Sequence, residues 1–212
     1  MRDFDAVIFD LDGVICSTDE YHYLAWKAIA NSIDVYFDRT INNRLRGVSR
    51  MESLDIILER SDDAYSQAEK LELADQKNEL YKQLLEKMSP DDLTDEVKDT
   101  LDRIRERGYL IAIGSSSKNA PLILQQLGLD GYFDAVSDGN NITRSKPDPE
   151  VFEKAAQMLC VPFGHCLVVE DAVSGAEAAR RCNMKVACVG DAGRAGAGDH
   201  NMRSIRELLN IL

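Results

Sequence analysis

The hydrophobic positions of the chain follow two rhythms. Ala6-Val7-Ile8-Phe9 is an unbroken apolar run. Such a run predicts a strand buried on both faces, the kind found in parallel sheets of α/β folds. The signal returns at Leu110-Ile111-Ala112-Ile113, weakly at Ala135-Val136-Ser137, and again at Leu167-Val168-Val169 and Val186-Ala187-Cys188-Val189. Helical patterns separate these runs. One is capped by Thr94, carries the stripe Val97, Leu101 and Ile104, has Arg103, Arg105 and Arg107 near its end, and stops at Gly108. Acidic residues at its start, basic ones at its end and the closing glycine suit a helix dipole and a C-terminal stop. Others are expected over 118–127, 149–159 and 175–182, with a last one over 202–212. The alternation predicts an α/β fold with a Rossmann-like parallel sheet flanked by helices and joined by right-handed crossovers. In such sheets ligands bind beyond the carboxyl ends of the strands. The Gly/Ala-rich stretch 190–198 shows neither period and is expected to be a loop.

The second rhythm fills residues 16–88, where helical spacing runs without a convincing strand. Ser17-Thr18-Asp19-Glu20 fits a capping box opening a helix that reaches about Asn31. Further along, Leu54, Ile57 and Leu58 share a face, as do Leu73, Leu80 and Leu84. Ser89-Pro90-Asp91-Asp92 breaks the pattern and reads as the return linker. The expected organisation is therefore a core from 1–15 and 89–212 with a helical domain, 16–88, inserted after the first strand.

Composition narrows the class. The chain has 212 residues, 44% of them hydrophobic and 29% charged, with a net charge of −12. That length buries a real core. The acidic balance argues against general binding to nucleic acid or an anionic membrane, both of which need a basic face. A phosphate can still be held locally by a few cations and backbone N–H groups. The five cysteines form an odd set with no C-x-x-C pair, and since four of them lie in or next to apolar runs they read as small buried side chains rather than zinc ligands or disulfides. No signal-peptide pattern and no apolar run near 18 residues is present, so a cytoplasmic protein is expected. The absence of a coiled-coil seam makes a monomer the expectation.

The candidate chemistry begins where the first strand ends. Phe9-Asp10-Leu11-Asp12-Gly13 sets two carboxylates two residues apart, on one side of an extended backbone. They repel unless a cation lies between them or one holds a proton. The pair reads either as an acidic turn or as a Mg²⁺ site with one carboxylate free for chemistry. Ser115-Ser116-Ser117-Lys118-Asn119 follows the second core strand, as a helix cap or as a phosphate cradle of hydroxyl and backbone N–H groups. Lys146-Pro147 offers a surface lysine or a point charge on a phosphoryl group. Glu170-Asp171 offers a helix N-cap or the second half of a hard-metal site. Each falls at the same predicted rim, and together they supply a nucleophile, an acid, a metal and a phosphate cradle.

The order D-x-D-G, Ser, Lys-Pro, Glu-Asp resembles the haloacid dehalogenase superfamily of phosphotransferases over essentially the whole chain. The helical insert resembles that superfamily's cap. Asp19-Glu20-Tyr21-His22 with Trp26-Lys27, Leu45-Arg46-Gly47-Val48-Ser49-Arg50, Lys77-Asn78 and Ser117-Lys118-Asn119 resemble its β-phosphoglucomutase branch. That resemblance implies Asp10 as nucleophile, Asp12 as general acid and base, and Ser115, the Ser116 amide and Lys146 holding the transferring phosphoryl group. It implies Mg²⁺ on Asp10, the Asp12 backbone carbonyl and Asp171, with Glu170 beside it, and a cis Lys146–Pro147 bond. Arg50 with Ser117, Lys118 and Asn119 would grip a second phosphate. His22, Trp26, Arg46, Gly47, Val48, Ser49 and Lys77 would line the sugar side or couple cap closure to proton transfer, with Thr18 at the hinge. Arg46 stands where some relatives carry Lys, and the guanidinium fork differs from an ammonium. The implied reaction interconverts β-glucose 1-phosphate and glucose 6-phosphate through an aspartyl phosphate and a 1,6-bisphosphate. The partners are small-molecule sugar phosphates. A sugar-phosphate phosphatase with the same core and a non-catalytic phosphate- or metal-binding regulator are the competing readings.

Overall fold

The computed structural model describes residues 2–45 and 48–212. Its elements in chain order are β1 (Ala6–Phe9), α1 (Asp19–Ser32), α2 (Arg39–Asn43), α3 (Arg50–Leu58), α4 (Gln67–Leu85), α5 (Asp95–Glu106), β2 (Leu110–Gly114), α6 (Ala120–Gln126), β3 (Ala135–Ser137), α7 (Glu150–Leu159), β4 (Cys166–Glu170), α8 (Val173–Arg181), β5 (Lys185–Cys188), α9 (Gly190–Arg194) and β6 (His200–Asn201). Short 3-10 turns lie at Pro90–Asp92, Phe163–His165 and Ile205–Asn210. The chain divides into two compact units, one from Met1–Ser17 with Ser89–Leu212, the other from Thr18–Met88.

The first unit is built on a parallel sheet in the order β3-β2-β1-β4-β5-β6. The apolar runs explain why. A strand with helices on both faces has no wet side, and Ala6, Val7, Ile8 and Phe9 are all fully buried. Ala6 and Ile8 join a core with Phe152, Ala155, Ala176 and Ala179 from α7 and α8. Burying a side chain the size of Ile8 contributes roughly 1.5–3 kcal/mol. Phe9 stands opposite Ile113 on one side and Val169 on the other. That register brings the residues after β1, β2 and β4 to one rim. Gly114 ends β2 with no room to spare: a Cβ there would lie 2.8 Å from the Phe152 ring.

Two expectations fail in this unit. Residues 190–194 form α9 rather than a loop, and its Ala192 is fully buried. A helix made largely of Gly and Ala has too few large apolar side chains to show a 3.6 period. The expected helix over 202–212 is a 3-10 turn, Ile205–Asn210, preceded by the two-residue edge strand β6. At two residues β6 carries no readable alternation. Elsewhere α6 starts at Ala120 rather than 118, because Ser117 Oγ accepts from the Asn119 N–H and holds residues 117–119 in a turn.

The second unit is helical. Trp26, Ile29, Phe37, Ile41, Leu54, Ile57 and Leu73 form its core. Capping boxes open α3 (Ser49 with Glu52) and α4 (Ser66 with Glu69). The box expected at Ser17 and Glu20 is absent. The cap of α1 is Thr18, whose side chain makes no cap hydrogen bond, and Glu20 instead accepts both Arg39 guanidinium nitrogens at 2.8 and 3.0 Å. The stripe on α4 also differs. Its buried residues are Leu73, Ala74, Lys77, Tyr81 and Leu85, so the face is rotated from the expected Leu73, Leu80 and Leu84. Among the described residues no helix is long and apolar enough to cross a membrane.

Candidate active site

Three strand ends meet at the rim of the sheet unit. Asp10 follows β1 directly, its N–H donating to the Val169 carbonyl of β4 at 2.9 Å. The carboxylates of Asp10, Glu170 and Asp171 each bring an oxygen within 4.8 Å of the others. Lys146, on the loop before α7, reaches in from the other side. Its Nζ donates to Asp10 Oδ1 and to Glu170 Oε1, and lies 4.7 Å from the centre of the Phe152 ring. The Lys146–Pro147 peptide is cis, as the resemblance implies.

The charge balance defines what this cluster suits. Burial pushes the Asp10 carboxyl well above its ordinary value; the Lys146 ammonium opposes that shift, and Glu170 and Asp171 add to it. Burial alone would depress Lys146, yet the Asp10 and Glu170 carboxylates override it and hold the ammonium charged. Three carboxyl groups face a single ammonium in a largely buried place. A divalent hard cation with oxygen ligands matches both the charge and the donor set.

Gly13 makes room for this arrangement. It adopts a φ of +84°, and a Cβ on it would lie 2.1 Å from Asp171 Oδ2. An L side chain is disfavoured there on both counts. Asp12, half-buried, pairs with Cys16 in an isolated bridge that turns the chain after the D-x-D segment, and Gly13 N–H donates to the Cys16 carbonyl at 2.7 Å.

The serine run after β2 forms a chain of small turns. Ser115, 2% exposed, accepts at Oγ from the Ser117 N–H at 3.1 Å. Ser116 Oγ accepts from the Lys146 N–H at 3.4 Å, which ties the lysine loop to the serine loop. Lys118 is exposed and Asn119 buried. Two features here escaped sequence reading. Gly139 packs against the loop so closely that a Cβ would lie 2.5 Å from the Ser116 carbonyl oxygen, and Asn140 Nδ2 donates to the Lys118 carbonyl at 2.9 Å. Glu150 is the other. Its carboxylate pairs with Lys154 and accepts from the N–H groups of Thr143 and Arg144 and from Thr143 Oγ1, each at 2.9 Å. Those bonds, the Lys154 one foremost, hold its carboxyl down to about 2. Glu150 thus fixes the loop that carries Lys146. An acidic residue in a helix's first turn was the available signal.

The helical unit gathers its own polar cluster. Lys77, 3% exposed, places Nζ 2.8 Å from His22 Nδ1 and over the rings of Tyr81 and Trp26, at 4.3 and 5.1 Å. His22 stacks on Tyr81 with centroids 4.1 Å apart. An ammonium only donates, so Nδ1 accepts and the neutral ring carries its proton on Nε2. Burial, then the Lys77 and Arg50 charges, hold the His22 pKa well below its ordinary value. Arg50, at the start of α3, donates to Asn78 Oδ1 at 2.8 Å. Ser49 is the N-cap of α3, and Val48 is exposed just before it. Thr18 is buried at the start of α1. Arg46 and Gly47 lie outside the described residues.

Residues 4–183 match the haloacid dehalogenase-like hydrolase family. The chain is 44% identical to the β-phosphoglucomutase of Bacillus subtilis strain 168 over 187 residues, covering 87% of this chain and 83% of that protein. It is 32% identical to a fructose-1-phosphate phosphatase of Escherichia coli K12, covering 85% of this chain and 94% of the relative. The crystal structure of a β-phosphoglucomutase from Clostridium difficile superposes with a TM-score of 0.88 at 35% identity, covering 97% of this chain and 93% of that one.

Proposed function

The chain belongs to the haloacid dehalogenase-like hydrolases, and from that premise we propose that it is a β-phosphoglucomutase, interconverting β-glucose 1-phosphate and glucose 6-phosphate. The observation that carries the mutase reading over a phosphatase is the higher identity to a β-phosphoglucomutase than to a sugar-phosphate phosphatase, 44% against 32%.

In the first half-reaction an Asp10 carboxylate oxygen attacks phosphorus of a sugar bisphosphate, and the bond from phosphorus to the sugar oxygen breaks. Asp12 gives that oxygen a proton. In the second half-reaction Asp12 takes the proton of a sugar hydroxyl, whose oxygen attacks the aspartyl phosphate and frees Asp10. Lys146, Ser115 and the Ser116 amide hold the equatorial phosphoryl oxygens. Arg50, with Ser117, Lys118 and Asn119, holds the phosphate that is not reacting; Arg grips phosphate through two parallel hydrogen bonds. Val48 and Ser49 serve the sugar side, with the core residue Trp26 near it. His22 and Lys77 couple cap closure to the Asp12 proton transfer. Arg46 and Gly47 belong to the Val48 segment, and Thr18 is the hinge at which residues 18–88 close as a cap. Asp10, Asp171 and the Asp12 carbonyl, with Glu170 beside them, would hold Mg²⁺, which when bound neutralises charge on the carboxylates and the phosphoryl oxygens. The same reading makes the protein a cytoplasmic monomer acting on small-molecule sugar phosphates.

The test is a product assay. Purified protein, Mg²⁺, β-glucose 1-phosphate and a trace of glucose 1,6-bisphosphate are mixed, and glucose 6-phosphate and free phosphate are followed together. Glucose 6-phosphate as the main product is expected. Free phosphate as the main product would make the protein a phosphatase.

A further inference from the structure

Glu170 is 1% exposed and folds back over the start of α8. Its Oε2 accepts the N–H groups of Asp171 and Ala172, both at 2.9 Å. Ala172 is the N-cap of α8 and makes no side-chain cap bond; Glu170 accepts the N–H of that cap residue and of the one before it, fixing the turn that enters the helix. The other oxygen, Oε1, takes the Lys146 ammonium. Both ends of the carboxylate are thus engaged, and its position depends on an open space above the first turn of the helix. Gly175 provides that space. A Cβ on Gly175 would lie 1.8 Å from Glu170 Oε1 and 2.0 Å from its Cδ, far inside van der Waals contact. Gly175 is buried in the first turn of α8, where alanine would suit the helix better than glycine. Its φ is ordinary, so the backbone does not require glycine.

We propose that Gly175 is a positioning residue for phosphoryl transfer: its bare α-carbon lets the Glu170 carboxylate lie over α8, and that carboxylate aims Lys146 at Asp10. The atom a Cβ would strike is the far end of a flexible side chain. A methyl group at 175 therefore displaces the carboxylate rather than the helix, and Lys146 loses one of its two anchors. The kinetic part rests on the role of Lys146 proposed above; the packing part does not.

The experiment is a cycle of Gly175→Ala, Glu170→Asp and the double variant, read by kcat, KM and Tm. The shorter Asp withdraws the carboxylate from the contested space. Gly175→Ala alone is expected to lower kcat about tenfold or more, the scale of one hydrogen bond to a charged group, with KM for β-glucose 1-phosphate within about twofold, and to lower Tm. In the Glu170→Asp background the same change is expected to alter kcat by less than about twofold and to leave Tm level or raise it, since alanine then only improves the helix. Equal losses of kcat and Tm in both backgrounds would overturn the proposal, as would a Gly175→Ala variant with unchanged kcat. Should Gly175→Ala not fold, the double variant decides: the proposal requires it to fold, and its failure would mean the glycine serves helix packing. Should the wild-type protein lack mutase activity, the functional reading falls while the Tm cycle still tests the packing.

Discussion

Lys146 donates to Asp10 and Glu170 at once, joining the residue after β1 to the last residue of β4. This bridge is the centre of the buried charge balance. Removing the lysine leaves the carboxylates without their counter-charge, whereas removing Asp10 relieves part of the crowding among them, so the two removals have opposite consequences.

Asp10→Asn deletes a carboxyl that burial, with Glu170 and Asp171, pushes toward the neutral form against the pull of Lys146. The variant is expected to be inactive, yet in chelator to melt no lower than the wild-type protein. Its Tm gain on adding Mg²⁺ should shrink, because a ligand is gone. Lys146→Ala is expected to lower kcat about 10²–10³-fold and to melt lower in chelator, with a larger Mg²⁺ gain. Thermal melts with and without Mg²⁺ check both, and Asp10→Asn melting well below wild type would contradict the charge balance.

His22 gives the helical unit a pH dependence. Its folded pKa is depressed, while in the unfolded chain the imidazole titrates near 6.5. As pH falls below that value the unfolded state takes up a proton the folded state refuses, so stability is lost with acidification until the folded pKa is reached. Tm is expected to fall between about pH 7 and pH 5.5 more steeply in the wild type than in His22→Gln. Identical slopes would show that His22 is not held neutral.

Arg50→Ala should slow turnover that depends on the bisphosphate by about 10–100-fold, the scale of a hydrogen bond to a charged group. Slow hydrolysis of a small phosphoryl donor such as acetyl phosphate should survive, since it needs no second phosphate site. Steady-state kinetics on both substrates decide; equal losses would remove Arg50 from that role.

The thiols should react unequally. Cys16, Cys166, Cys182 and Cys188 are buried, and Cys160 is exposed at the end of α7. Burial pushes Cys166 up to about 12 and Cys182 and Cys188 up to about 11, and raises Cys16 further with help from Asp12 and Asp10. The thiolate is the reactive form. A chromogenic disulfide at pH 8 should therefore titrate one thiol quickly and four only after denaturation.

What the sequence made legible follows from what each signal depends on. The buried strands were readable because parallel strands are apolar on every residue, as Ala6 to Phe9 are. The D-x-D, Lys-Pro and Glu-Asp motifs were readable because they sit where those strands end. The α4 face was misjudged because its buried stripe passes through Lys77, a charge made tolerable by His22 and two aromatic rings that only the fold brings near. Ser17 and Glu20 fitted a local capping rule, but Arg39, 19 residues further on, takes the carboxylate. Gly175 was invisible, and Glu150 signalled only by its place in a helix's first turn, for a related reason: the meaning of each lies in a carboxylate contact across a turn, and neither hydrophobic period nor motif spacing reports it.

The central claim is that Asp10 takes the phosphoryl group and hands it to a sugar rather than to water. Protein treated with glucose 1,6-bisphosphate bearing ³²P and freed of excess donor should carry label on the peptide containing Asp10, and Asp10→Asn should carry none. On a chase with unlabelled β-glucose 1-phosphate, the label is predicted to leave in glucose 1,6-bisphosphate and glucose 6-phosphate. Label found on another residue, or released as free phosphate at the same rate with and without the sugar, would contradict the account.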